Sequence, residues 1–231
     1  MNGSANIAQL ELAATHLGDI IQEVAFVGGA TVALMITDEA APDVRPTIDV
    51  DVIVEIGSVI GYHKLTERLK DKGFSVDSSE DAPTCRFRGH DLILDVMPTD
   101  PNILGYSNRW YSEALTQSKV VRLPSGAEIL VVSALYFVAT KLEAFADRGH
   151  GDYLASHDFE DIMAVVDGRE ELAEELAAID NAMADYIRSA FTEFLADQNF
   201  LDALPGCLSA DVASQQRVSV LEKRVRAIAG H

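Results

Sequence analysis

The stretch RPTIDVDVIVE, residues 45–55, decides the architecture of the chain. It alternates. Ile48, Val50, Val52 and Val54 fall on one face of an extended segment and Asp49, Asp51, Ile53 and Glu55 on the other, the period of a strand. Asp49 and Asp51, two residues apart, therefore emerge side by side, close enough to offer oxygen ligands to one or two hard cations. Alternating strands also turn acids to solvent, so the pair becomes a site only if other elements converge on it.

Upstream, residues 5–22 carry apolar positions at helical spacing, and Val24 to Val27 read as a short buried strand. That strand ends in Gly28-Gly29 and is followed by the apolar, helix-length run ATVALMI, residues 30–36. The glycines thus predict a strand-to-helix turn whose free backbone N–H groups could receive phosphate, with no Cβ to keep the ligand away. An ordinary tight turn would look the same.

Downstream, a helix is expected over 59–72, ended by Gly73. TCRFRGHDLILDVMP, residues 84–98, predicts a hairpin turning at Arg88-Gly89-His90-Asp91, with Leu92, Leu94 and Val96 on one face and Asp95 on the other. Asp95 is either a third carboxylate for the Asp49/Asp51 pair or an exposed strand residue. VVRLP and EILVV read as short strands joined by Ser125-Gly126. From Ser133, a candidate N-cap, the pattern becomes helical. One helix is expected to about Arg148, and another from near Asp158, itself a candidate N-cap, to near Gly168. Acidic helix-forming sequence follows, and Pro205-Gly206 sets off a terminal helix bearing Arg217, Lys223, Arg224 and Arg226. The expected organisation is an α+β core over 1–132, a mixed β-sheet flanked by helices, followed by an all-helical region over 133–231.

The chain has 231 residues, 48% hydrophobic and 24% charged, which suits a globular protein with a substantial core. No apolar run approaches the roughly 18 residues of a membrane helix, and the N-terminus lacks a secretory pattern, so a cytoplasmic protein without membrane partners is expected. Cys85 and Cys207 lie far apart without metal-ligand spacing and read as unpaired thiols. His150, Asp152 and His157 read as loop residues rather than a transition-metal site. A formal charge of −19 disfavours polyanionic partners at long range, although carboxylates that bind magnesium are neutralised in use.

The order strand, Gly-Gly turn, helix, Arg45-Pro-Thr-Ile-Asp49-Val-Asp51 strand and later Asp95 strand resembles the core of the DNA polymerase β-like nucleotidyltransferase superfamily. Within it the chain looks most similar to AbiEii toxins of type IV toxin–antitoxin systems, over roughly residues 20–170. The resemblance implies transfer of an NMP from an NTP to an acceptor hydroxyl, with pyrophosphate leaving. Asp49, Asp51 and Asp95 would hold two Mg2+ ions, or Mn2+. Gly28, Gly29, Thr31 and Arg45 would serve the nucleotide. The family's downstream Lys, Arg and Asp positions fall on Lys141, Arg148, Asp158 and Asp161. Lys141 would meet the triphosphate, Arg148 a phosphate or carboxylate, and Asp158 and Asp161 would orient those bases, so that the helical region completes the active-site cleft.

Two departures from the family pattern stand out, Gly29 where many relatives have Ser and His157 where many have Lys. The acceptor implied is tRNA or another RNA, with a protein or a small molecule as alternatives and a cognate antitoxin as a further partner. Two other readings stay open: an idle relative that binds nucleotide or a partner protein, and a phosphohydrolase using the same acids.

Overall fold

The structure, a computed structural model, describes residues 3–149 and 151–230; His150 lies outside them. It divides into two units, one made of Gly3–Thr31 with Arg45–Ser133, the other of Val32–Val44 with the chain from Ala134 onward.

The first unit is built on the alternating strand. In chain order it comprises α1 (Ser4–Leu17), β1 (Val24–Val27), β2 (Asp49–Val54), α2 (Val59–Asp71), β3 (Ser75–Val76), β4 (Arg86–Gly89), β5 (Leu92–Pro98), the short α3 (Pro101–Leu104) and α4 (Tyr111–Thr116), β6 (Lys119–Arg122) and β7 (Glu128–Val131). Among the described residues the strands form one seven-stranded mixed sheet in the order β3-β4-β5-β2-β1-β7-β6. β2 lies between β1, antiparallel to it, and β5, parallel to it. A strand with neighbours on both sides and helices over the sheet buries more than one face. Ile53, on the polar side of the alternation, is accordingly as fully enclosed as Val50 and Val52. Ile48 goes the other way: it precedes the strand and is 73% exposed, so it does not join the apolar face the alternation assigned to it.

Local chemistry explains most boundaries. Ser58 caps α2 by accepting from the Gly61 N–H, and Gly73 follows that helix with positive φ. The β4–β5 hairpin turns on His90 and Asp91, both with positive φ, the two-residue geometry that matches strand twist. The expected opening helix over 5–22 is shorter than its apolar pattern: α1 stops at Leu17, and the chain continues through Gly18 as a 3₁₀ segment, Gly18–Gln22. The helix expected after Gly28-Gly29 is likewise a 3₁₀ segment, Gly29–Leu34. The Thr31 N–H and hydroxyl both bond the Gly28 carbonyl, at 3.0 and 2.8 Å, which tightens the turn to i→i+3 spacing. So short a segment carries little of the macrodipole an α-helix would have presented.

The second unit consists of α5 (Ala134–Arg148), α6 (His157–Gly168), α7 (Leu172–Ala177), α8 (Ala182–Ala196), α9 (Gln198–Ala203), α10 (Val212–Gln216) and α11 (Val218–Ile228), together with Val32–Val44. Ser156, not Asp158, caps α6, accepting from the Phe159 N–H; Asp158 sits in the first turn. Phe145, Tyr153, Phe159, Phe194 and Phe200 pack as an aromatic cluster with ring centroids 5.0–6.1 Å apart. The 32–44 segment is held here because the Thr37 and Asp38 N–H groups donate to the Gly168 carbonyl and Asp38 accepts from Arg217 and Arg224. Among the described residues no helix is long and apolar enough to cross a membrane.

Candidate active site

The register of the first unit places one row of side chains across its middle. Arg86 on β4 pairs with Asp95 on β5, Asp95 with Asp51 on β2, and Asp51 with Val27 at the end of β1. Asp49 is two residues from Asp51 on the same strand and face. The acids expected from sequence to act together, Asp49, Asp51 and Asp95, are therefore cross-strand or same-face neighbours.

Gly28 follows β1 directly, and its position explains why no other residue stands there. It has φ +78°, and a Cβ built on it would lie 1.9 Å from Asp51 Oδ2 and 2.7 Å from Asp51 Cγ. The glycine leaves room for the Asp51 carboxylate, a closer constraint than approach of a ligand. Gly28→Ala should accordingly lower the melting temperature by several degrees. A left-handed alanine costs about 1–2 kcal/mol, and a unit of this size loses about 2–4 °C or more per kcal/mol. A variant that melts like the wild type would show that Asp51 moves aside without cost.

Asp49 is held from two sides. Thr47 Oγ1 donates to its Oδ1 at 2.6 Å, and Arg86 Nη2 donates to its Oδ2 at 3.2 Å. Thr47 is itself fixed by Asn6, a fully buried side chain on α1 whose Oδ1 accepts the Thr47 N–H at 3.0 Å and whose Nδ2 donates to the Arg45 carbonyl at 2.9 Å. Arg45 is thus anchored through its backbone, with a half-buried side chain.

Arg86 makes its main contact with Asp95. Its Nε and Nη2 donate to the two carboxylate oxygens at 2.8 and 2.7 Å, a two-pronged pair in which the Asp95 side chain is 9% exposed. Asp95 holds the Arg86 guanidinium still further above its already high pKa. Neither Arg86 nor Asn6 figured among the sequence candidates. Asn6 carried no readable signal. Arg86 did: stepping back from the two-residue turn along both strands sets it opposite Asp95.

The acidic row has the chemistry of a divalent-cation site, since carboxylate oxygens are the ligands hard cations take, and Gly28 keeps open the space that Asp51 uses. Asp49 and Asp51, on one face of one strand, are ligands of the right chemical kind for such an ion. The three acids do not, however, converge as a ready cage: among the described residues no group of three His, Cys, Asp or Glu side chains is arranged to hold a metal. Arg86 instead binds both oxygens of Asp95 and one of Asp49.

Beside the row lies Cys85, 3% exposed. Burial pushes its thiol up to about 11, against a hydrogen bond with Tyr106 that lowers it. Burial likewise raises Cys207 to about 11. Both should stay protonated and unreactive, so a disulfide-exchange reagent at pH 8 should titrate neither thiol quickly in the native protein and both after denaturation. Fast native labelling of Cys85 would overturn its placement.

The remaining candidates lie in the second unit. Lys141 Nζ, on α5, pairs with Asp158 Oδ1 at 2.9 Å and Asp161 Oδ2 at 2.8 Å, both on α6. Arg148, seven residues further along α5, donates to both oxygens of Asp158 at 2.7 and 3.0 Å. Burial alone would raise the Asp158 pKa, but Arg148 and Lys141 outweigh it and hold the carboxyl at about 2. Thr31 and Gly29 of the glycine turn are buried, and the Thr31 hydroxyl is spent on the Gly28 carbonyl. His157 and Asp152 are exposed, His157 beside Glu160 and Asp152 bracing the backbone of Leu154 and Ala155.

No protein-family model and no curated protein sequence matches the chain. Solved structures do. An antigenic nucleotidyltransferase-like protein from Paracoccidioides brasiliensis superposes with a TM-score of 0.54 at 15% identity, covering 90% of this chain and 94% of its own. JHP933 from Helicobacter pylori superposes with a TM-score of 0.50 at 10% identity, covering 100% of this chain and 94% of its own. At these identities the likeness establishes the fold: a nucleotidyltransferase-like mixed sheet flanked by helices.

Proposed function

We propose that the chain is a magnesium-dependent nucleotidyltransferase that moves an NMP from an NTP to an acceptor hydroxyl, and that Asp49 and Asp51 are its metal-binding carboxylates. One observation carries the reading: in a nucleotidyltransferase-like fold, the in-register row brings Asp51 against Asp95 with Asp49 on the same face. The acceptor oxygen would form a bond to the α-phosphorus, the bond from that phosphorus to the bridging oxygen would break, and pyrophosphate would carry the electron pair away. Magnesium bound there would offset triphosphate charge and lower the pKa of the attacking hydroxyl. Asp49 and Asp51 would hold it, with Thr47 and Asn6 fixing the approach to Asp49, and Asp95 would complete the acid set for a second ion. Arg45 and the Gly28-Gly29 turn would face the nucleotide. Lys141 and Arg148 would act on phosphate, with Asp158 and Asp161 orienting them. By its resemblance to AbiEii-type toxins the reading extends to an RNA acceptor such as tRNA, an antitoxin partner and a cytoplasmic setting.

Purified chain with each labelled NTP, magnesium, and total RNA or cell lysate should label an acceptor and release pyrophosphate. Asp49→Ala combined with Asp51→Ala should do neither. The labelled species identifies the acceptor and decides between RNA, protein and small molecule. Release of inorganic phosphate instead would indicate a phosphohydrolase.

A second reading has its own support, the Arg86 fork on Asp95. An acid committed to an internal guanidinium suits a relative that binds nucleotide or a protein partner without turnover. Equal nucleotide binding by wild type and the double variant, with no pyrophosphate from either, would establish it.

A further inference from the structure

Both oxygens of Asp95 accept charge-assisted hydrogen bonds from one guanidinium, and the same Nη2 reaches Asp49 at 3.2 Å. A cation thus already sits between two of the three acids, covalently tethered to β4. A magnesium ion would need to approach an Asp95 oxygen to about 2.0–2.1 Å. With the guanidinium nitrogens 2.7–2.8 Å from those oxygens, two cations would crowd one nearly enclosed carboxylate. Their mutual repulsion is strong where water cannot screen it.

We propose that Arg86 is a built-in competitor of the second divalent cation. In the chain as folded it holds Asp95, so Asp49 and Asp51 take one ion, and a second enters only when Arg86 gives Asp95 up. The inference rests on the metal-site reading above. It makes Arg86 a positioning residue that sets how many ions the site holds. Arg86 holds Asp49 by one longer bond at 3.2 Å, while Thr47 and Asn6 keep that acid aligned, so the first ion competes with Arg86 far less than the second does.

The test is a Mn2+ titration of the full chain without nucleotide, read by the electron paramagnetic signal of free Mn2+, in salt of about 0.15 M to screen diffuse binding to the acidic surface. Wild type should bind one ion. Arg86→Gln should bind two, the second about tenfold or more tighter than any second ion of the wild type. Adding Asp95→Asn to Arg86→Gln should return the count to one, which a merely structural role for Arg86 does not produce. Should Arg86→Gln fail to fold, Arg86→Met removes the charge while keeping the apolar stem and should still admit a second ion.

Two ions in wild type, or one in each folded Arg86 variant, would overturn the competition. Failure of the underlying reading looks different: no Mn2+ bound by wild type, or binding that survives Asp49→Ala with Asp51→Ala.

Discussion

Asp51→Asn should reduce pyrophosphate release by about a thousandfold or more. A metal acting as a Lewis acid contributes several kcal/mol, and each ~1.4 kcal/mol is a decade in rate. The fold should not suffer. Asp51 lies in register with Asp95 and two residues from Asp49, so three carboxylates share one region of the sheet. Removing one charge relieves repulsion among the acids while Asn keeps the shape and hydrogen-bonding capacity of the side chain, so the melting temperature should stay close to that of the wild type. Rate and melting are measured on the same preparation. A variant that keeps its rate would remove Asp51 from the metal site, and one that melts well below the wild type would make its role structural.

The second large effect is on stability and lies in the helical unit. Asp158→Asn removes the carboxylate that Lys141 and Arg148 share while keeping its shape. The Asp158 side chain is 7% exposed and that of Lys141 13%, but Arg148 is 69% exposed and Lys141 keeps Asp161, so the lost carboxylate is compensated in part. Lowering a carboxyl from its ordinary value of about 3.9 to about 2 corresponds to stability on the order of 2 kcal/mol, and the roughly 3–5 kcal/mol that a fully buried, uncompensated partner would cost is not reached here. The loss in urea unfolding at neutral pH should be about 2 kcal/mol.

The sign with pH follows from the depressed folded value. The contribution is complete above the unfolded carboxyl pKa of about 4, declines as pH falls, and is gone below about 2. Wild type and Asp158→Asn should therefore differ most at neutral pH and converge between about pH 4 and 2. A constant difference across that range would assign the loss to packing instead.

Both sites were partly legible in the sequence, and the reasons differ by element. β2 and the β4–β5 hairpin could be read because alternation and turn chemistry act over a few residues, and positive φ at His90 and Asp91 closes the hairpin in one register. The α5–α6 cluster was legible because helical spacing puts Lys141 and Arg148 on one face and Asp158 and Asp161 on another. The glycine turn misled in detail: the apolar run after it suits an α-helix by composition, but Thr31 bonding back to Gly28 makes it 3₁₀. The role of Asn6 was invisible, because its partners at Arg45 and Thr47 lie about forty residues away.

Strand period, helix period, turns and caps are local properties, so the set of elements and the residue types on each face can be read along the chain. Tertiary structure alone decided which carboxylates meet. The parallel pairing of β2 with β5 sets Asp51 beside Asp95 across a connection of some forty residues, and no turn fixes that register. It also decided that Gly28 must lack a side chain because Asp51 fills the space, and that Arg86 claims Asp95. Contacts between distant strands are selected by burial and charge summed over the whole sheet, and a single strand read alone carries neither sum.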